Sequence, residues 1–338
     1  MEVEQLGNMR LLIQGCGSIG QRHYKNAVLL GHDAAFLRES ESRRPFVQKF
    51  FDEEQQLGRS VPKVFTSMQD AIESWKPDAL IIATPNNMHL SNAKLGASNN
   101  LPMLIEKPVA ISEDGLRDLV EEVESRGIVT MVGYNLRFHP LLQRIKDMVD
   151  TKYLGTVLSV DVEVGENIAD WHPWEDYSET YAPYIASGGG SLLCFSHDID
   201  YVYWLFGAPS SVEAVGGKLT PLEGDAEDMV KTLWRFDDGL VASLHIDYFQ
   251  RPKVRTLKII GTNKIIEWDA YGSLIVWDQI TSQKEEITVP EGFERNDMFK
   301  EELAHFIRAV EKGTQTNIPL SQGCTVVNIV ERIKGRLK

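Results

Sequence analysis

A glycine-rich turn near the start of the chain has the residue types and spacing that hold a pyrophosphate. Gly15-Cys16-Gly17-Ser18-Ile19-Gly20 follows the apolar run 11–13 and precedes a helical pattern over residues 21–30. The first glycine of such a motif permits a tight turn, the second lets backbone approach a phosphate, and the third lets helix and strand pack closely. The helix start, which includes Ser18 and Ile19, offers N–H groups and partial positive charge. The motif predicts a dinucleotide site.

Arg38, Glu39 and Ser40 follow the second apolar run, where the chain is expected to meet the adenosine ribose. An acidic residue there accepts hydrogen bonds from the ribose hydroxyls of NAD, whereas a guanidinium pairs with the 2′-phosphate of NADP. Arg38, with Arg43 and Arg44 close behind, favours NADP. Glu39 keeps NAD open, because the two later arginines can be solvated charges at a helix start.

The elements that must position these residues are short apolar runs separated by helical patterns. Continuous apolar runs bounded by turn residues suit strands covered on both faces, and therefore a parallel sheet built from βαβ units. The sequence predicts an α/β fold in which residues 1–134 form a doubly wound Rossmann domain. Its predicted strands are 11–13, 34–37, 79–83, 103–105 and 128–132.

After about Tyr134 the pattern changes to a period of two, which is typical of half-exposed strands. Asp237-Asp238-Gly239 between two such stretches predicts a hairpin. Residues 135–338 are therefore predicted to form an α+β substrate-binding and oligomerisation domain with a large open antiparallel sheet. Its predicted elements are strands at 157–164, 212–216, 229–236, 240–248, 256–261, 265–269 and 273–277, and a helix at 297–312.

Composition narrows the classes of partner. The 338 residues carry 49 acidic against 35 basic side chains, a formal net charge of -14, which repels nucleic acid and anionic membranes. Residues 1–5 lack the basic and apolar stretches of a signal peptide, and no apolar run is long enough to cross a bilayer. Three cysteines without a spacing motif argue against disulfides and zinc. We expect a cytoplasmic protein without a metal.

Several further segments together resemble the glucose–fructose oxidoreductase/inositol dehydrogenase/rhizopine catabolism (Gfo/Idh/MocA) family over nearly the whole chain. They are Ala83-Thr84-Pro85-Asn86-Asn87-Met88-His89, Glu106-Lys107-Pro108, Ser187-Gly188-Gly189-Gly190 and His197-Asp198-Ile199-Asp200. The segment from Trp171 to Tyr177 is similar to members found with surface-sugar and nonulosonic-acid biosynthesis. The resemblance implies a Rossmann domain plus a larger sheet domain through which copies form homodimers or homotetramers. It also implies that Thr84, Pro85, Asn86 and His89 line the dinucleotide cleft, with Glu106, Lys107 and Pro108 beside the nicotinamide.

Lys107 and His197 are the candidate catalytic residues. Oxidation of a secondary alcohol sends a hydride to the nicotinamide and a proton to a nearby base. A desolvated lysine amine can accept that proton, and an imidazole titrates near working pH. Spacing alone leaves Lys107 open to being a surface lysine and His197 to being a structural residue near a helix start; the family motif favours a role in the site for both.

Cys194 marks a departure from the family pattern. Most members carry an aspartate four residues after the glycines and a histidine eight after, whereas this chain has Cys194 and His197 at the fourth and seventh positions. A thiol cannot hold substrate hydroxyls or tune a lysine as a carboxylate does. We interpret Cys194 as a small buried residue.

Substrate contacts are predicted on both sides of the domain boundary. Tyr134, Asn135 and Arg137 follow the last Rossmann strand, and Trp174 and Tyr177 lie in an aromatic-rich loop suited to a lid over a sugar. His197 is expected to contact substrate as well. The tryptophans can equally seal an interface, and Arg137 can bind a carboxylate or phosphate or bridge the two domains.

The sequence thus predicts an NAD(P)-dependent oxidoreductase acting on a CH–OH group of a sugar or nucleotide sugar. A polyol dehydrogenase of the inositol type or a reductase of non-sugar carbonyls would keep the same glycines and lysine. A regulator that binds dinucleotide without turnover would keep Gly15, Gly17 and Gly20 and lose the proton-transfer groups. Retention of Lys107 and His197 argues for catalysis, and Cys194 argues mildly against it.

Overall fold

The computed structural model describes residues 7–38, 44–58, 61–171 and 175–337, with only the backbone at 44–46. Glu39, Ser40, Arg43 and Trp174 therefore lie outside the described residues, as does the side chain of Arg44. The chain divides into two compact units. The first contains Met1–Ala110, Asp114–Tyr134 and Arg295–Cys324, and the second contains Ile111–Glu113, Asn135–Glu294 and Thr325–Lys338.

The first unit contains a parallel six-stranded sheet in the order β3-β2-β1-β4-β5-β6. The central runs form strands because every residue of 11–13 and 79–82 is fully buried, and both faces of these strands must therefore be apolar. The strands are β1 Arg10–Gln14, β2 Asp33–Leu37, β3 Lys63–Phe65, β4 Ala79–Ile82, β5 Met103–Ile105 and β6 Thr130–Val132.

The strand order reverses between β1 and β4, which pair with each other at the middle of the sheet. In open α/β sheets, ligands bind outside the carboxyl ends of the strands at such a switch point. The helices of this part of the chain are α1 Ser18–Leu29, α2 Arg44–Gln56, α3 Met68–Asp70, α4 His89–Ser98, α5 Leu116–Ser125 and a π-helical turn at Ala71–Trp75.

A late segment of the chain returns to the first unit. Helix α9, Arg295–Lys312, lies on α1, where the Arg22 guanidinium stacks on the Phe299 ring at 4.3 Å and the Asn296 amide donates to Asn26 at 2.8 Å. Beyond α9, Ile318 accepts a hydrogen bond from the β6 residue Val132 at 2.9 Å. The predicted second domain, 135–338, therefore differs from the observed unit, because the apolar face of α9 is buried in the first unit.

The second unit contains an eight-stranded, mostly antiparallel sheet in the order β14-β13-β12-β11-β7-β10-β9-β8. The predicted hairpin at 237–239 joins β9 and β10, which pair antiparallel. The strands are β7 Val157–Gly165, β8 Ser211–Gly217, β9 Met229–Arg235, β10 Val241–Asp247, β11 Val254–Gly261, β12 Lys264–Asp269, β13 Leu274–Asp278 and β14 Lys284–Ile287.

The predicted antiparallel sheet is confirmed and contains one parallel pair of strands. β7 pairs antiparallel with β11 but parallel with β10. A parallel pair requires a long crossover. The chain supplies one between β7 and β10, where it forms two short helices and two strands. The remaining helices are α6 Pro140–Asp150, α7 Ser191–Cys194, α8 Ser196–Phe206 and α10 Leu320–Lys334, with 3-10 turns at Asn86–Met88, Asn135–Phe138, Ile168–Asp170, Tyr177–Glu179 and Ile185–Ser187.

The large sheet has one buried and one open face. Val160, Val162 and Val164 of β7 are buried, and the residues between them face outward. The period of two in the sequence has this origin.

Among the described residues, no helix combines the length and apolar character needed to span a membrane.

We predict that Phe306→Ala destabilises the first unit by about 3–5 kcal/mol, the usual effect of truncating a fully buried aromatic side chain. Phe306 is fully buried on α9. Urea unfolding followed by circular dichroism measures the change. Ile280→Ala is the matched control, because its side chain is 90% exposed and should leave the midpoint unchanged. An unchanged midpoint for Phe306→Ala would contradict the placement of α9 in the core.

Candidate active site

The glycine turn lies at the carboxyl end of β1 and is held by two close approaches. Gly15 has a φ of +108°, and a Cβ there would collide with the carbonyl oxygen of Ala83, the residue after β4. A Cβ at Gly20 would collide with the carbonyl oxygen of Gly15. The first and third glycines are therefore required by the turn and by the packing of α1 on β1.

Gly17 differs from the other two glycines because a Cβ placed on it would meet no atom within 4 Å. It is the N-cap of α1, with no side-chain capping bond, and Ser18 beside it is exposed. The first N–H groups of a 12-residue helix therefore face open space. A pyrophosphate fits such a site, since helix N-termini attract anions and glycine allows close approach.

Arg38 follows β2 and lies near the glycine turn. Its N–H donates to Phe65 at 2.8 Å, and its side chain is half-buried. Burial raises the pKa of the Cys16 thiol to about 11, and the positive charge of Arg38 offsets part of that rise. The guanidinium of Arg38 is therefore close enough to act on Cys16 in the glycine turn.

Thr84, after β4, is held by a chain of buried amides. Gln14 at the end of β1 donates to the Asn92 side chain at 3.1 Å, and Asn92 donates to the Thr84 hydroxyl at 2.9 Å. Gln14 and Asn92 are both buried. The chain joins β1, α4 and the β4 turn at one edge of the sheet.

His89 connects the β4 turn to the turn after β5. Its Nε2 lies 2.7 Å from the Thr84 carbonyl oxygen, and its Nδ1 lies 2.7 Å from the Pro108 carbonyl oxygen. Burial lowers the pKa of His89, and the charge of Lys107 lowers it further, against the two carbonyls. His89 therefore holds the Glu106-Lys107-Pro108 turn beside Thr84, while Pro85 is exposed and Asn86 is buried next to it.

The turn after β5 presents Lys107 at this edge. Glu106 N–H donates to Ile82 at the end of β4 at 2.9 Å, and its carboxylate meets His23 Nε2 at 2.7 Å. Lys107 is half-buried, and its charge acts on both Glu106 and His89. Within the first unit the structure therefore brings together the glycine turn, Thr84, His89 and Lys107.

Sequence reasoning missed three buried polar residues of this unit: Asn92, His23 and Glu302. The first two are hydrogen-bonded as described above. Glu302 lies on α9. One ring nitrogen of His23, one carboxylate oxygen of Glu106 and one carboxylate oxygen of Glu302 lie within 4.8 Å of one another. A signal existed, because Glu302 stands three residues after Phe299 and four before Phe306 and so shares the apolar face of α9.

His197 lies in the second unit, in the first turn of α8, and its side chain is half-buried. Its neighbour Asp198 is fully buried and accepts from Arg255 at 3.1 Å. This ion pair fixes the start of α8 and thereby the backbone that carries His197.

Arg137, for which the sequence left a substrate contact and a structural bridge open, forms a buried ion pair. Arg137 donates to both carboxylate oxygens of Asp200, through Nε at 2.9 Å and Nη2 at 2.6 Å, and both side chains are about 1% exposed. Its guanidinium also lies 5.6 Å from the Trp204 ring. A buried, bidentate pair makes Arg137 a structural residue of the second unit.

The other predicted substrate residues differ in exposure. Tyr134 is fully buried in the first unit, and Asn135 is 5% exposed in the second. Tyr177 is half-buried, and its hydroxyl accepts from the Glu223 N–H at 3.2 Å. Trp174 lies outside the described residues. Of the two lid residues, Trp174 and Tyr177, Tyr177 is the one that the structure describes, and its side chain is partly exposed.

Cys194 is buried in α7, as the sequence predicted. Burial raises the pKa of the Tyr248 phenol, and its hydrogen bond with the Cys194 thiol contributes to this rise. Trp171 packs edge-on against Tyr248 and Phe195, each at 5.4 Å between ring centroids. The thiol belongs to an aromatic core.

Two family models match this sequence. The model described as an oxidoreductase family with an NAD-binding Rossmann fold matches residues 9–134, and that of the GFO/IDH/MocA C-terminal domain matches residues 142–267. A 2,7-anhydro-N-acetylneuraminate hydratase of Escherichia coli (strain K12) is 28% identical over 195 residues, which are 56% of this chain and 50% of that protein. The chain thus aligns with half the length of that relative.

Another relative and a solved structure match over nearly their full length. A D-xylose 1-dehydrogenase (NADP(+)) 2 of Haloferax volcanii is 24% identical over 327 residues, 95% of each chain. The structure of a levoglucosan dehydrogenase in complex with NADH and levoglucosan superimposes with a TM-score of 0.85 at 19% identity, covering 98% of this chain and 97% of that one. The fold, the glycine turn and the two matching models lead to one conclusion: this chain belongs to the Gfo/Idh/MocA family of NAD-binding Rossmann-fold oxidoreductases.

Proposed function

We propose that the protein is an NAD(P)-dependent dehydrogenase or reductase that transfers a hydride between nicotinamide and a secondary alcohol or ketone of a sugar or nucleotide sugar. The observation that carries the proposal is the edge at the switch point. There an open helix N-terminus with Gly17 at its start adjoins the turn that presents Lys107. A cofactor-binding site beside a basic side chain is the minimum that this reaction requires.

The dinucleotide would be held by residues of the first unit. Gly15, Gly17, Ser18, Ile19 and Gly20 offer backbone to the pyrophosphate, and Arg38, with Glu39 and Ser40, would meet the adenosine ribose. The nicotinamide would lie along Thr84, Pro85, Asn86 and His89 towards Glu106, Lys107 and Pro108. When bound, the nicotinamide supplies or accepts the hydride.

The proton would be handled by Lys107. In alcohol oxidation its amine accepts the hydroxyl proton; in the reverse direction its ammonium donates a hydrogen bond to the ketone oxygen. We assign His197 the second proton-transfer role and a contact to substrate, since Cys194 belongs to an aromatic core and supplies no carboxylate. Tyr134, Asn135, Trp174 and Tyr177 remain proposed substrate contacts.

The sugar class is supported by what the relatives and the matching structure are named for. One is named for xylose, one for an anhydro form of N-acetylneuraminate, and the matching structure contains levoglucosan. We propose a substrate of this class, with several hydroxyl groups on a ring. Aromatic faces such as Tyr177 suit the C–H faces of such rings.

The open face of the large sheet is the proposed contact between copies of the chain, as a homodimer or homotetramer. Val215, Leu233 and Val241 are 43–67% exposed on this face, beside charged groups of both signs such as Glu163 and Lys231. Exposed apolar residues with interspersed charges are typical of subunit interfaces.

We further propose a cytoplasmic protein that binds neither nucleic acid nor membrane. The three cysteines form no disulfide, which suits a reducing compartment. The net charge of -14 disfavours polyanions.

Gly17→Val is predicted to remove binding of NAD and NADP while the protein stays folded. The new side chain would project into open space in the free protein and would collide only with a bound pyrophosphate. Calorimetric titration measures binding, and thermal unfolding is the control for the fold. Undiminished affinity would exclude this turn as the phosphate site.

Arg38→Ala is predicted to weaken NADP about tenfold and NAD much less, since only NADP offers a 2′-phosphate to the guanidinium. Arg10→Ala is the control, because Arg10 begins β1 at the opposite end of the strand. Equal losses for both cofactors would contradict the NADP preference.

Screening sugars, nucleotide sugars, polyols and simple ketones for a change in reduced-nicotinamide absorbance tests the activity itself. For a substrate found in this way, Lys107→Ala is predicted to lower kcat by about 10²–10⁴-fold with little change in cofactor affinity. Lys49→Ala, an exposed lysine on α2, is the control. Full activity of Lys107→Ala would remove Lys107 from the mechanism, and binding without turnover on any substrate would favour a regulator.

A further inference from the structure

Glu302 is a fully buried acid on α9. Its side chain is 0% exposed, and both carboxyl oxygens lack a hydrogen-bond partner among the described residues. One of these oxygens lies within 4.8 Å of a His23 ring nitrogen and of a Glu106 oxygen. An ionised carboxylate in such a place would lose its hydration without gaining a hydrogen bond, which costs several kcal/mol.

Glu106 is the member of this cluster that remains ionised. Burial acts to raise its pKa, but the hydrogen bond and charge of His23, together with the charges of Lys107 and His89, lower it overall. Burial and the negative charge of Glu106 raise the pKa of Glu302 well above its ordinary value. The positive groups near the cluster therefore act on Glu106, and Arg22 on α1 interacts with Glu106 as well.

We propose that Glu302 is a neutral carboxylic acid whose O–H donates a hydrogen bond to the Glu106 carboxylate through one bridging water, and that it so positions the turn that carries Lys107. Glu106 would then be held from two sides, by His23 of α1 and by Glu302 of α9. The backbone of Glu106 is already fixed on Ile82 at 2.9 Å. Glu302 acts through Glu106 and is a positioning residue.

The consequence for catalysis rests on the proposed function of Lys107. A second negative charge near Glu106, or the loss of the donor, would let the Glu106 side chain move and would change the electrostatic field at Lys107, the next residue. The state of Glu302 itself is independent of any reaction, so the two claims can be tested separately.

Infrared difference spectroscopy tests the protonation directly. At neutral pH the spectrum of the wild type minus that of Glu302→Gln is expected to show the carbonyl stretch of a protonated carboxylic acid. Glu301→Gln is the matched control, since Glu301 is exposed to solvent on the same helix, and its difference spectrum is expected to lack this band. Absence of the band overturns the proposal. So does about one equivalent of tightly bound divalent metal per chain, found by elemental analysis and lost in Glu302→Gln.

Turnover tests the positioning role on whichever substrate the absorbance screen identifies. Glu302→Met keeps the volume and removes the donor, so kcat is expected to fall about tenfold, the equivalent of one hydrogen bond to a charged group, with a shifted pH profile. Glu302→Gln keeps a neutral donor and should restore most of the loss. Equal kcat and pH profiles for Glu302→Met and wild type overturn the positioning role. An acid band without turnover on any substrate supports the protonated Glu302 and contradicts the proposed function instead.

Discussion

The fit of Gly20 against the Gly15 carbonyl is the constraint on which the rest of the candidate site depends. Side-chain atoms at either position would collide with backbone, so only glycines let α1 start directly above β1. This packing points the first N–H groups of α1 away from the sheet and leaves open space around Gly17. The proposed binding site for a pyrophosphate would therefore be a result of backbone packing, and its polar groups would cost little to organise.

The same edge collects groups from three neighbouring strands because parallel strands end together. The turns after β1, β4 and β5 are linked by hydrogen bonds of Asn92, His89 and the Glu106 backbone. These links are buried or partly buried, where hydrogen bonds between polar groups resist movement. Lys107 thus belongs to a turn whose backbone is fixed on several sides, which suits the proton transfer proposed for it.

The sequence predicted those parts of the fold that local patterns determine. Buried runs such as 79–82 and the alternating strands of the large sheet were found, because burial on two faces or one face sets their composition directly. β3 and β14 were missed because they are short edge strands with exposed, charged residues. α10 was missed although Val326, Val330 and Ile333 repeat at helical spacing and are buried. The return of α9 to the first unit is a long-range contact that no local pattern records.

Some features of the candidate site were likewise predicted from the sequence, and others were not. The spacing of the glycine turn follows from how such a turn binds a phosphate, and Lys107 and His197 were proposed through the family resemblance. The ion pair of Arg137 with Asp200, 63 positions away, was not predicted because it has no local signature. Glu302 was overlooked because a single acid in an apolar helical face is easily taken for a surface residue.

The measurement that tests the central claim most directly is amide hydrogen exchange of the wild-type protein with and without saturating NADP or NAD. If the glycine turn cradles the dinucleotide beside Lys107, exchange should slow at the start of α1, at the turn after β4 and at residues 106–110 together. Protection confined to other segments, or none despite demonstrated binding, would contradict this account of the site.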